Sequence, residues 1–175
     1  MPAHLIFITG GERSGKSRYA EQLALERSAA PIYIATARKW DDDFSERIET
    51  HRATRSAAFR TIEAEKIFSD INADGETLVL DCITLWLTNW FTDLDGDVEK
   101  SFAAATAEFE LLLQKNCTLI TVSNEIGMGV HAATAVGRKF VELQGRVNQF
   151  IAARANEVTL MVSGIPVVIK PVTKP

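Results

Sequence analysis

Close to the start of the chain a short apolar run, Leu5-Ile6-Phe7-Ile8-Thr9, passes directly into Gly10-Gly11-Glu12-Arg13-Ser14-Gly15-Lys16-Ser17. The run has the β-branched, unalternating character of a strand buried on both faces. Beyond the glycines, Tyr19, Leu23 and Ala24 recur at helical spacing with charge between them. The eight residues from Gly10 to Ser17 match G-x-x-x-x-G-K-[S/T] at every fixed position, between a strand and a helix start, as a phosphate-binding loop requires. Its glycines permit a tight turn that aims successive N–H groups at phosphate oxygens. The helix N-terminus adds partial positive charge at the same place. In this reading Lys16 reaches the terminal phosphates and Ser17 offers its hydroxyl to Mg2+. The competing reading is a glycine-rich βα turn that binds nothing, and it leaves the flanking elements and the Lys16-Ser17 pair unexplained.

The rest of the chain alternates in the same way. Apolar runs predict strands over 5–9, 31–35, 78–81, 119–123 and 158–163, with a sixth over 167–169. Helical patterns lie over 16–27, 44–54, 65–70, 85–90, 98–114 and 136–155. Strands separated by helices imply βαβ units and a mostly parallel sheet covered on both faces. Only Gly164-Ile165-Pro166 joins the last two strands, too short a link for a parallel crossover, so an antiparallel C-terminal hairpin is expected. The expected fold is a single α/β P-loop NTPase-like three-layer sandwich over residues 1–170, with 171–175 a frayed tail. Residues 93–97, acidic and glycine-containing, read as an exposed loop.

Composition narrows the partners. A net charge of -4 gives no global basic surface, which disfavours nucleic acid. No segment approaches the roughly 20 apolar residues of a membrane helix. The first strand begins within a few residues of Met1, leaving no room for a secretory signal, so a cytoplasmic location is expected. Cys82 and Cys117 sit in apolar runs without metal-ligand spacing and read as buried thiols.

Four further places carry possible chemistry. Asp81 closes an apolar strand, where a carboxylate can hold Mg2+ beside Ser17; it also stands where a helix N-cap for 83–90 would stand. Arg47, His51 and Arg55 recur every four residues and share one face if that stretch is helical. Two guanidinium groups flanking an imidazole suit a phosphate, and an imidazole can attack phosphorus, although a solvated basic face is the commoner outcome. Ser123-Asn124-Glu125 closes another strand, where an open α/β sheet places its ligand crevice; a structural turn is the alternative. Gly145 lies inside a helical pattern at a cost of about 1 kcal/mol relative to alanine, which suggests close packing or a ligand approach. Trp86, Trp90 and Phe91 are open to either a subunit contact or the core.

Assembled in order, these segments resemble the bifunctional adenosylcobinamide kinase / adenosylcobinamide-phosphate guanylyltransferase family. The resemblance is carried by residues 9–17, Tyr33-Ile34-Ala35-Thr36-Ala37, Arg47-Ile48 with His51 and Arg55, and Leu80-Asp81-Cys82-Ile83-Thr84-Leu85-Trp86. Ser123-Asn124-Glu125-Ile126-Gly127-Met128-Gly129, Gly145-Arg146-Val147-Asn148-Gln149 and Val162-Ser163-Gly164-Ile165-Pro166 extend it to nearly the whole chain. Two places depart from the family pattern: Val130-His131-Ala132-Ala133-Thr134 after Gly129, and Phe59 where a tryptophan is usual.

The resemblance implies two reactions, phosphorylation of adenosylcobinamide with ATP or GTP and transfer of GMP from GTP to the product. It makes His51 the residue that carries GMP and Lys16 the second catalytic group. It assigns nucleotide contacts to Gly10, Gly11, Glu12, Arg13, Ser14, Gly15, Lys16 and Ser17, to Ala35, Thr36 and Ala37, to Arg52, Ala53, Thr54 and Arg55, and to Glu63 and Asp81. The implied metal is Mg2+ at Ser17 and Asp81, the implied partner a corrinoid, and the implied assembly a dimer or trimer. Two other classes remain open on the residues alone: a monofunctional P-loop small-molecule kinase, and a non-catalytic nucleotide-dependent binding protein.

Overall fold

The computed structural model describes residues 2–38 and 56–171. Seven strands form one sheet: β1 (His4–Gly10), β2 (Ile32–Ala35), β3 (Arg60–Glu63), β4 (Thr77–Asp81), β5 (Thr118–Asn124), β6 (Glu157–Val162) and β7 (Ile165–Lys170). Their order is β3-β2-β4-β5-β1-β6-β7, parallel throughout except for the antiparallel pairing of β7 with β6. The four described helices are α1 (Lys16–Arg27), α2 (Ile83–Asp93), α3 (Val98–Leu113) and α4 (Ala135–Arg154).

Strand alternation divides the apolar residues into two layers. Ile6, Ile8, Val79, Ile120 and Val122 meet Ala20 and Ala24 of α1 on one face. Leu5, Phe7, Leu78, Leu80 and Leu119 meet Trp86, Phe109, Leu143 and Ile151 on the other, where α2, α3 and α4 lie. β1 is central, and Leu5 to Gly10 are all buried, as its unbroken apolar run requires.

Several expectations are corrected. Residues 60–63 form the edge strand β3 beside β2, and 65–70 form no helix. Only four residues long and mostly exposed, β3 carries too little apolar pattern to announce itself. Instead of entering a helix, the chain at Phe68 and Ser69 donates two backbone N–H groups to the buried Glu108 carboxylate of α3, at 2.8 and 2.7 Å. The C-terminal hairpin turns through Ser163 and Gly164 alone, both with positive φ, so Ile165 and Pro166 belong to β7. A two-residue turn of that hand matches strand twist, and Pro166 is tolerated because β7 is an edge strand.

Trp86 and Phe91 are core residues, not surface contacts: Trp86 is 0% exposed, packs on Phe68 and Phe109, and donates its indole N–H to Lys66 O at 2.8 Å. The loop expected over 93–97 is shorter. α2 runs through Asp93, and Asp97 caps α3 by accepting from Lys100 N at 3.0 Å. Gly145 meets nothing within 4 Å of a virtual Cβ, so close packing among the described residues does not explain it. The expected helix over 44–54 and tail residues 172–175 lie outside the described residues.

Candidate active site

The turn from β1 into α1 is built for close approach. Gly10 has φ +152°, and a Cβ there would stand 2.5 Å from Met161 O and 2.8 Å from Ser14 Oγ, so only glycine fits. Arg13 and Gly15 also take positive φ, which folds the loop back on itself before α1 begins at Lys16. Lys16 is buried, donating its ammonium to Gly11 O at 2.5 Å and reaching Ser14 Oγ at 3.5 Å. Burial pulls the Lys16 ammonium below the ordinary lysine range, against the opposing influence of Asp81 and Glu12. A cation held this way gains strongly from an incoming phosphate, which supplies the negative charge that the desolvated ammonium lacks.

The hairpin turn supports this loop, a role its sequence does not announce. Gly164 N donates to Ser14 O at 3.0 Å, and a Cβ on Gly15 would lie 3.4 Å from Gly164 Cα. The signal available was Ser163-Gly164, a turn pair; that it leans on residue 14 is a long-range fact.

Strand register gathers the other expected residues at the same edge. Glu63, Ala35 and Asp81 are direct neighbours across β3, β2 and β4, and Gly10 stands opposite Asn124 across β1 and β5. Asp81 ends β4 rather than capping α2, whose N-cap is Cys82 without a side-chain bond. Tyr33 Oη donates to Asp81 Oδ2 at 2.7 Å, which fixes the carboxylate. Ser17 and Asp81 offer a hydroxyl and a carboxylate, hard oxygen donors of the kind Mg2+ takes from a protein when phosphates and water complete its shell. Among the described residues no cluster of three or more His, Cys, Asp or Glu would hold a metal unaided.

Thr36 is fully buried, and its hydroxyl is committed to the backbone: it donates to Cys82 O at 2.8 Å and accepts from Cys82 N at 2.9 Å. Asn89 of α2, also buried, donates to Thr36 O and Glu65 O, both at 2.8 Å. Thr36 and Asn89 thus lock the carboxyl ends of β2, β3 and β4 together. Burial, with Asp81 adjacent, pushes the Cys82 thiol up to about 12, so it stays protonated near neutrality. His51, Arg52, Ala53, Thr54 and Arg55, with Arg47, lie outside the described residues.

A second polar group sits under the end of β5. Ser123 Oγ donates to Asn148 Oδ1 at 2.7 Å, Gln144 Nε2 donates to Ser123 Oγ at 2.8 Å, and Asn148 Nδ2 donates to Asn124 O at 3.2 Å. Next to the Gly145 that marked the helix in sequence, Gln144 and Asn148 of α4 therefore hold the Ser123-Asn124-Glu125 strand end.

A strand–glycine loop–helix cradle with a desolvated lysine, at the carboxyl edge of a mostly parallel sheet, defines a P-loop nucleotide-binding α/β protein. The fold is shared with an ATPase of the type III secretion system of pathogenic bacteria (TM-score 0.55, 12% identity, 92% of this chain and 52% of that one). It is shared too with the flagellar accessory protein FlaH of Methanocaldococcus jannaschii (TM-score 0.50, 17% identity, 98% and 80%). Over residues 6–169 the chain matches the CobU family, cobinamide kinase / cobinamide phosphate guanyltransferase, and it belongs to that family. It is 41% identical to the bifunctional adenosylcobalamin biosynthesis protein CobU of Escherichia coli (strain K12), covering 95% of this chain and 99% of that protein. It is 42% identical to the bifunctional adenosylcobalamin biosynthesis protein CobP of Pseudomonas aeruginosa, covering 93% and 95%. As a member of that family the chain is a transferase, a kinase and guanylyltransferase of cobalamin biosynthesis. No described helix is long and apolar enough to cross a membrane.

Proposed function

We propose that this chain phosphorylates the free hydroxyl of adenosylcobinamide with ATP or GTP, and then moves GMP from GTP onto the new phosphate through His51. The observation that carries the reading is the family match over residues 6–169 around a phosphate loop whose lysine is already desolvated. In the first reaction the loop N–H groups and Lys16 offset charge on the transferring γ-phosphoryl group while the corrinoid hydroxyl attacks it, giving the corrinoid phosphate and a nucleoside diphosphate. Ser17 and Asp81 would hold Mg2+, which neutralises phosphate charge when bound.

In the second reaction an imidazole nitrogen of His51 attacks the α-phosphorus of GTP, forming a P–N bond and releasing pyrophosphate. An oxygen of the corrinoid phosphate then attacks the same phosphorus, the P–N bond breaks, and adenosylcobinamide-GDP leaves. Arg52, Ala53, Thr54 and Arg55 supply nucleotide contacts beside His51. Ala35, Ala37 and Glu63 supply them at the sheet edge; Thr36, fully buried with its hydroxyl on Cys82 and its carbonyl on Asn89, holds that edge in place beneath the nucleotide. The working assembly is a dimer or trimer.

The test is incubation with α-labelled GTP followed by denaturation. Wild-type protein is expected to keep an acid-labile label, and His51→Ala to keep none while still phosphorylating the corrinoid. A label that persists in His51→Ala would sink the assignment.

A further inference from the structure

The two reactions leave one question about the first: which group receives the proton of the attacking alcohol. Sheet order ranks the carboxylates. Neighbouring strands are about 4.8 Å apart, so in the order β3-β2-β4-β5-β1 the end of β5 is roughly 5 Å from β1, that of β4 roughly 10 Å and that of β3 roughly 19 Å. Glu63, at the end of β3, is therefore far from the phosphate loop. Asp81, at the end of β4, is bound by Tyr33 and suited to the metal. Glu125 follows β5 immediately, and its backbone N–H donates to Gly10 O at 2.9 Å, tying it to the first residue of the loop.

Two N–H groups meet the Glu125 carboxylate among the described residues. Oε1 accepts from Gly127 N at 3.3 Å, and Oε2 lies 3.5 Å from Asn148 Nδ2; both are uncharged donors. The strand end is braced from beneath by the buried Gln144–Ser123–Asn148 network. One residue further on, a groove of about 310 Å³ opens between loop 126–132 and α4, lined by Ile126, Gly127, Val130, Arg138, Val141 and Glu142. Apolar walls with a few polar groups suit the carrier of an alcohol better than a second nucleotide.

We propose that Glu125 is the base of the phosphoryl transfer, with the alcohol's carrier seated in the groove between loop 126–132 and α4. As the alcohol oxygen forms its bond to the γ-phosphorus, the bond to the departing diphosphate breaks and the hydroxyl proton passes to the Glu125 carboxylate, which later returns it to water. The proposal rests on the kinase reading given above.

The experiment measures kinase turnover on adenosylcobinamide and nucleotide affinity for wild type, Glu125→Gln and Glu125→Asp. The isosteric amide should lower kcat about a hundredfold or more while nucleotide affinity stays within about threefold, and aspartate should recover part of the loss. A Glu125→Gln variant within about threefold of wild-type kcat overturns the proposal, as does one that loses nucleotide affinity along with turnover, since that marks a structural role. A wild-type protein that phosphorylates no corrinoid overturns the kinase reading itself, and the role of Glu125 with it.

Discussion

Thr36 shows how a single side chain can shape this site without displaying chemistry of its own. Its hydroxyl closes a two-bond clasp on the Cys82 backbone, directly after the Asp81 that faces the phosphate loop. Thr36→Val preserves the shape and leaves the buried Cys82 N–H unpaired, while Cys82 O keeps its bond from Trp86 N, so it is expected to destabilise the protein by about 1–3 kcal/mol. Urea denaturation reads this directly, and an unchanged midpoint would show that water replaces the clasp. Lys16 and Asp81 stand out in sequence because one lies in a local motif and the other closes an apolar run. Thr36, Tyr33 and Asn89 do not: their partners lie 46, 48 and 53 residues away, beyond any spacing rule.

Among the elements, the C-terminal end of α2 is tied to two strands through one carboxylate. Arg38, after β2, makes a bidentate pair with Asp93 at 2.8 and 2.9 Å, and Lys66, after β3, reaches Asp93 at 2.6 Å. The Arg38 and Lys66 hydrogen bonds hold the Asp93 carboxyl well below the usual carboxylate range. A depressed folded pKa means that this stabilisation is present above the unfolded value of about 4 and is lost as pH falls below it. The thermal midpoint of Asp93→Asn should therefore lie below that of wild type at pH 7, and the gap should close as the pH drops below about 4. It should also shrink in high salt, because these side chains are substantially exposed. A gap that stays constant down to pH 3 would remove the ion pairs as its cause. Element identity was legible for β1, α1, α3 and α4, whose patterns are long or motif-bound. It failed at β3 and at 65–70, where four exposed strand residues and the Glu108 carboxylate decide the outcome from outside the segment.

For the molecule as a whole, stability is concentrated on the face that carries three helices. Trp86 is at its centre, fully buried between Phe68 at 5.1 Å and Phe109 at 6.3 Å. Trp86→Ala is expected to cost about 3–5 kcal/mol in chemical denaturation, with no change in sedimentation of the folded protein. A change in assembly without loss of stability would restore the subunit-contact reading of this residue.

The phosphate loop, the alternating α/β pattern, the terminal hairpin and the family were all readable from the chain alone. Each depends on residues adjacent in sequence or on a motif carried in order. Strand order, by contrast, follows from which apolar faces bury against which, and no local pattern encodes it. That order sets β5 between the phosphate loop and Asp81, and brings Glu125, a residue the motif never mentions, onto the carbonyl of Gly10.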